Sequence, residues 1–424
     1  MPQQKYSKYI DILKENQNLV LTGAPGTGKT FMAHGIAKEM NAEVEFVQFH
    51  PSYDYTDFVE GLRPIEKTDG QMGFERKDGV FKEFCKKAAK NLEDSEKTLE
   101  ELYEENSFEE KYKVLIDRIS NDELTYFELK SGKLMEIVEI SDNNNIVLKT
   151  KDSGSNKLYI VSFDRLAKLA KVYTDSNSIN TMPNISVAIS DVIGGCHTSA
   201  YWAVLREIYK QESYHKTIAT SKILKKDFVF IIDEINRGEA SKIFGELFYA
   251  IDPGYRGKKD IRVKTQYQNL IPDTDVFAEG FYVPENVYIL ATMNDIDRSV
   301  ESMDFAMRRR FTWMEVTPKD TESMLDELAS YAQKAKDTMA RINALISETD
   351  GLGDAYQVGP SYFLKLKGNG GNFDKLWRMN IEPLLKEYLR GFRKSNEIIS
   401  KLKDAYNNTD TTSSNNNENE VLDE

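Results

Sequence analysis

Two cysteines in 424 residues, Cys85 and Cys196, leave nothing from which to build a disulfide framework or a cysteine metal site. Such sparing use is what a reducing cytoplasm predicts. Positive charge is also short. Lys and Arg number 56 against 69 Asp and Glu, and a formal charge of −13 excludes a protein that coats nucleic acid indiscriminately. It leaves room for a locally basic pore, because net charge and local field are separate quantities. Long apolar runs are missing as well. No stretch approaches the roughly 20 residues of a membrane span, and the opening MPQQKYSKYIDIL lacks the apolar core of a secretory signal. These absences predict a cytoplasmic protein with no membrane partner. What remains, 40% hydrophobic and 29% charged, is ordinary for a globular chain long enough for two or three domains.

Against that background, the LTGAPGTGKT stretch from Leu21 to Thr30 stands out. Gly23, Ala24, Pro25, Gly26, Thr27, Gly28, Lys29 and Thr30 form a Gly-x-x-x-x-Gly-Lys-Thr phosphate loop. An apolar strand (18–22) enters it, and a helix (29–40) that also carries Phe31 leaves it. Glycines let successive backbone N–H groups turn inward around a polyphosphate, and the helix N-terminus adds its partial positive charge. Lys29 is expected to reach the outer phosphates and Thr30 to ligate Mg²⁺.

Three further elements complete a nucleotide-hydrolysing pattern. The apolar strand FVFIID ends in Asp233 and Glu234, at the strand edge where parallel sheets bind ligands. Asp233 is expected to hold Mg²⁺ through water and Glu234 to polarise the attacking water. The strand Tyr288–Thr292 leads to Asn294, whose amide can donate to a γ-phosphate or, alternatively, cap the following turn. Arg298 and then Arg308, Arg309 and Arg310 precede a last apolar strand, 311–316. Consecutive arginines cannot all point one way, so one can reach a neighbouring subunit's nucleotide; a charged, solvated helix end is the alternative.

The order of these elements predicts an α/β fold of the AAA+ P-loop NTPase plan, a parallel sheet flanked by helices. Residues 1–107 and 178–317 form its two parts, with 43–49 as a second buried strand. Between them, short alternating runs separated by Gly/Asn/Asp/Ser turns predict a small inserted α+β domain at 108–177. Its charge is balanced whereas phosphate-binding surfaces are usually basic, which favours a decorative or subunit-contacting domain over the alternative, a DNA- or target-recognition element. The helical stretch 185–209 then leads back to the core. A helical lid at 318–406, with helices over 321–349 and 373–403, and a solvated acidic tail at 407–424 follow. The locally basic GYRGKKDIRVKT segment, with Arg256, Lys258 and Lys259, is a second candidate DNA contact as an exposed hairpin.

Gln48–Pro64 (QFHPSYDYTDFVEGLRP), Ile231–Leu247 (IIDEINRGEASKIFGEL) and Phe281–Phe311 together resemble the McrB-type motor subunits of modified-cytosine restriction systems. The likeness spans the α/β core and reaches the lid at Gly359–Phe363 (GPSYF), leaving the insert outside. It implies a GTPase rather than an ATPase, with Mg²⁺, a hexameric ring, and a separate McrC-type endonuclease that stimulates hydrolysis. It also implies DNA translocation, with no nuclease site in this chain. The family's signature Asn falls on Asn294, its Asp-Arg on Asp297 and Arg298, its acidic position on Asp304, and its interface arginines on Arg309 and Arg310. Departures are the Asp-Ile pair after Asn294, no DNA-reading domain ahead of Gly23, the insert itself, and no clear nucleotide-sensing arginine in the lid. An ATP-driven protein remodeller and a nucleotide-gated binding module are the competing classes.

Overall fold

The computed structural model describes the chain except residues 1–4, 67–71, 142–143, 152–156, 196, 211–221, 259, 274, 297–304 and 409–424. Among the described residues eleven strands run in chain order: β1 (Asn18–Thr22), β2 (Glu43–Gln48), β3 (Glu60–Glu66), β4 (Met72–Asp78), β5 (Tyr126–Glu128), β6 (Leu134–Ile140), β7 (Ile146–Thr150), β8 (Leu158–Val161), β9 (Phe228–Asp233), β10 (Val287–Thr292) and β11 (Thr312–Glu315). The chain divides into two compact units. One comprises Met1–Lys90, Lys225–Ile271 and Phe277–Glu424; the other comprises Asn91–Leu224 and Pro272–Val276.

In the first unit, five strands form a wholly parallel sheet in the order β11-β1-β10-β9-β2. Central strands of such a sheet are covered on both faces and therefore read as continuous apolar runs. That is why FVFIID is buried at every position. Val229 and Ile231 face the helix Lys29–Glu39 through Met32, Ala33 and Ile36. On the opposite face, Phe230 meets Phe58 at 5.7 Å and Phe81 at 5.0 Å, edge to face, while Phe58 and Phe81 stack at 4.8 Å. The expected buried strand at 43–49 is a partly exposed edge strand instead. β2 pairs only with β9, and Val44 and Phe46 remain about 40% exposed.

The antiparallel hairpin β3–β4 was not expected, because Pro64 and frequent charges obscure its alternation. Its base is held by a buried ionic cluster. Glu60 accepts from Lys82 (2.6 Å), Arg76 (2.9 Å) and the Tyr267 amide (2.7 Å), and Asp78 pairs with Arg76 and Lys86. Lys82 and Glu60 are both fully buried, so each charge depends on the other.

The lid has its own core, in which Leu325, Met339, Ile342, Phe363, Trp377 and Leu402 are buried together. Its helices are more broken than their periodicity suggests. A 3-10 run, Glu322–Tyr331, is interrupted at Ala329 (φ 50°, ψ −111°) before the helix Ala332–Glu348. The stretch read as one helix over 373–403 comprises Phe373–Leu376, a π turn Trp377–Ile381, Glu382–Tyr388 and, after a turn, Ser395–Asn407.

The second unit contains the four-stranded antiparallel sheet β5-β6-β7-β8. It is wider than the 108–177 boundaries. The helices Ile185–Ile193 and Thr198–Lys210, expected to belong to the core, bury Ile189, Tyr201, Trp202, Leu205 and Ile208 with Leu115, Phe127, Ile146 and Leu166. Trp202 also donates its indole N–H to the Ile179 carbonyl at 3.0 Å. Of the acidic tail, residues 409–424 lie outside the described residues, while Asn407 ends a helix.

Candidate nucleotide site

The phosphate loop leaves β1 through Gly23, Gly26 and Gly28, all at positive φ. Gly26 shows why glycine is required there. A Cβ would lie 2.7 Å from the Tyr362 ring, and its φ of 81° is strained for any other residue. Lid residues border the loop closely. The Ser361 amide donates to the Gly26 carbonyl at 3.2 Å, and the Thr321 hydroxyl donates to the Thr27 carbonyl. A Cβ on Gly359 would sit 2.0 Å from the Gly26 oxygen. Thr27 is buried and donates to Ala24 O at 2.9 Å, while Pro25 lies partly exposed between them. Phe31, on the outer face of the following helix, is 43% exposed beside Lys5.

Lys29 is buried and donates to the carbonyls of Gly23 (3.0 Å) and Ala24 (2.9 Å) and to Asn294 Oδ1 (2.8 Å). Burial lowers its ammonium to about 8, against the opposing pull of Glu234, Asp295 and Asp233. Asn294 in turn donates its amide to Glu234 Oε1, so one side chain bridges the loop lysine and the carboxylate. Burial, with Asp233 adjacent, pushes the Glu234 carboxyl above its usual range. Glu234 sits at φ 55°, ψ 50°, a left-handed conformation.

Asp233 is the convergence point. Its Oδ1 accepts from the Thr30 hydroxyl and the Thr292 hydroxyl, each at 2.7 Å, and its Oδ2 accepts from Gln48 Nε2 at 3.1 Å. A hydroxyl and a carboxylate side by side are hard oxygen donors of the kind magnesium takes, so Thr30 and Asp233 fit the metal. Strand order creates this meeting: β1 lies next to β10, and β10 next to β9, so three strand ends share one edge. Gln48, Thr292 and Ser361 were not singled out by sequence reasoning. Each is an ordinary residue type, and only the fold places it here. Asp295, hydrogen-bonded to Thr22 and the Gly23 amide, was likewise missed.

The basic residues part company. Arg308 lies over the Trp313 ring at 4.8 Å and Arg309 is exposed. Arg310 is buried within its own chain, with its guanidinium 4.2 Å above Phe248 and a hydrogen bond to Ala306 O at 2.7 Å. That burial is at odds with an outward-facing Arg310. Arg256, expected to touch DNA, is also enclosed. It donates to Ile251 O (3.3 Å), Val287 O (3.0 Å) and Asn18 Oδ1, and burial lowers it to about 10. It is a structural residue and cannot reach a phosphate backbone. Lys258 is exposed on an irregular segment with a single bridge, Val263 to Phe281, rather than a hairpin. Asp297, Arg298, Asp304 and Lys259 lie outside the described residues.

Comparison with known proteins decides the family. The model described as AAA domain (dynein-related subfamily) matches residues 18–121 and 165–311, more than half of the chain. The chain belongs to that AAA family. The match breaks off over 122–164, the segment that carries β5 to β8 of the second unit. A second model, the McrB alpha-helical lid domain, matches 334–396, so this AAA+ protein is of the McrB type. It is 25% identical over 406 residues to the type IV methyl-directed restriction enzyme EcoKMcrB subunit of Escherichia coli K12, covering 92% of this chain and 57% of that protein. An alignment of that extent runs through the second unit, which the sequence resemblance had left outside. The chain is also 34% identical over 89 residues to the type II restriction enzyme BsuMI component YdiS of Bacillus subtilis 168, covering 20% of this chain and 26% of that one. It thus spans little more than half of the first relative and a quarter of the second. No helix among the described residues is long and apolar enough to cross a membrane.

Proposed function

We propose that this AAA+ chain hydrolyses GTP in preference to ATP within a hexameric ring of copies. Turnover would drive movement along DNA and activate a separate McrC-type endonuclease in the restriction of modified DNA. The observation that carries the reading is the continuous hydrogen-bonded path Lys29–Asn294–Glu234, beside the Thr30–Asp233 pair. These contacts between Lys29, Asn294 and Glu234 support their assignment as phosphate-binding cation, γ-phosphate reader and base. The two restriction relatives support the biological setting, and the lid match supports the McrB-type assembly.

In this reading, loop amides and Lys29 bind the phosphates, and Asn294 turns from Lys29 toward the γ-phosphate. Glu234, its carboxyl already raised by burial, takes a proton from the attacking water. Thr30 would hold magnesium directly and Asp233 through water, and the metal when bound offsets phosphate charge. The exposed Arg309 is the group offered to a neighbour's site, and the buried Arg310 fixes the segment that presents it. Asp297 and Arg298 complete the proposed signature. Lys258 and the second unit remain the proposed DNA contacts.

The test is hydrolysis of GTP against ATP by the full chain, with and without an McrC-type partner. GTP should outcompete ATP, and the partner should raise turnover. Lys29→Ala should abolish nucleotide binding. Equal use of both nucleotides, indifference to the partner, or normal affinity in the Lys29 variant would each overturn the corresponding part.

A further inference from the structure

The pairing of β9 with β10 runs from Phe228↔Val287 to Ile232↔Ala291 and then stops. Glu234 lies beyond it in a left-handed conformation, and its amide has no ladder carbonyl to meet. A non-glycine residue keeps such a backbone only when its surroundings hold it. Here the amide donates to Thr292 Oγ1 at 3.1 Å. The same oxygen sends its own hydrogen to Asp233 Oδ1 at 2.7 Å. A hydroxyl has one proton to give and lone pairs to receive, and Thr292 has used both toward successive residues of the neighbouring strand end. It is 2% exposed, so water cannot substitute.

We propose that Thr292 is a positioning residue whose single hydroxyl locks Asp233, the carboxylate that would hold magnesium through water, to the backbone that aims Glu234. This deepens the hydrolase reading above and rests on it. The remaining contacts of Asp233 agree with such a lock. Thr30 shares Oδ1, and Gln48 holds Oδ2 from the edge strand, so the carboxylate is fixed at both oxygens. The threonine methyl suits a strand interior, but valine would serve there equally well. What valine cannot do is satisfy the Glu234 amide and orient Asp233.

The experiment compares Thr292→Val and Thr292→Ser in the full chain. Four readouts are taken: turnover, nucleotide affinity in EDTA, the magnesium concentration that half-maximally tightens nucleotide binding, and the melting temperature. An unpaired buried donor is worth about one to two orders of magnitude, so Thr292→Val should lose about 10–100-fold in kcat. Its metal-free affinity should stay within about threefold, and its magnesium requirement should rise about fivefold or more. Thr292→Ser should remain near the unaltered chain in all of these. If the valine chain does not fold, Thr292→Ala removes the hydroxyl without filling the space. A purely structural role would lower the melting temperature and leave the magnesium response unmoved, which would overturn the proposal. So would a serine variant as impaired as valine. If the unaltered chain binds nucleotide but never hydrolyses it, the hydrolase reading fails. The magnesium titration of binding still decides the lock, and an unchanged response in Thr292→Val would refute it.

Discussion

At the scale of single residues, the two kinds of arginine in this chain should behave oppositely. Arg309 is exposed, so Arg309→Ala should cost hydrolysis but little nucleotide affinity or stability. An arginine acting on a neighbour's nucleotide should lower turnover by about 10³-fold or more. Mixing with Glu234→Gln chains, which keep their arginine, should restore part of the loss; no recovery in mixed assemblies would remove the role in trans. Arg256 is enclosed and satisfies two carbonyls and the Asn18 amide oxygen. Arg256→Met takes this donor from Val287 O and Asn18 Oδ1, whereas Ile251 O keeps the Asn18 amide at 2.8 Å, so chemical denaturation should register about 2–4 kcal/mol of lost stability, with DNA affinity unmoved. The difference between these arginines marks how far the sequence can be read. Lys29, Thr30 and Asp233 were legible as candidates because a phosphate loop and an acidic strand end are patterns of particular residue types at fixed spacing, and the fold brings Thr30 to Asp233. Arg256 and Arg309 occur in equally charged stretches, and nothing local says which one the fold encloses. Thr292 and Gln48 were illegible for the complementary reason. They are unremarkable in sequence, and strand order alone brings them to Asp233.

Among the elements, the core strands were readable and the lid breaks were not. β1, β9 and β10 are buried on both faces, which forces continuous apolar runs that survive in the sequence. β2 (EVEFVQ) lies at an edge, and its two glutamates and its glutamine are what a half-exposed strand carries in place of a continuous apolar run. In the lid, helical spacing of apolar residues continues across Ala329, although its backbone leaves the helix at φ 50°. A side chain in that conformation costs about 1–3 kcal/mol, partly offset by the greater unfolded freedom of glycine. Ala329→Gly should therefore stabilise the chain by about 1 kcal/mol, read as a higher melting temperature. A lower one would mean that the break closes into helix in solution.

For the whole molecule, the site residues described here all fall within the first unit. The second unit leaves and rejoins the chain at neighbouring points, where Asn91 Nδ2 donates to Leu224 O at 3.2 Å. Replacing 92–223 by a short Gly-Ser linker should leave nucleotide affinity within about threefold, since a short flexible linker spans such a gap with little entropic cost. Loss of affinity would show that the second unit helps to build the cleft. The same variant sorts the unit's role: DNA binding lost with hydrolysis kept would make it the reader. Its limits were hidden because an apolar helix face announces that it will be buried without saying in which core. Gly359 has a consequence of its own at this scale. Where its backbone lies on the Gly26 carbonyl, no side chain stands between lid and loop to act as a cushion. A loop that shifts by a fraction of an ångström when phosphate arrives must push the lid by the same amount, so the coupling between filling the cleft and moving the lid has no slack.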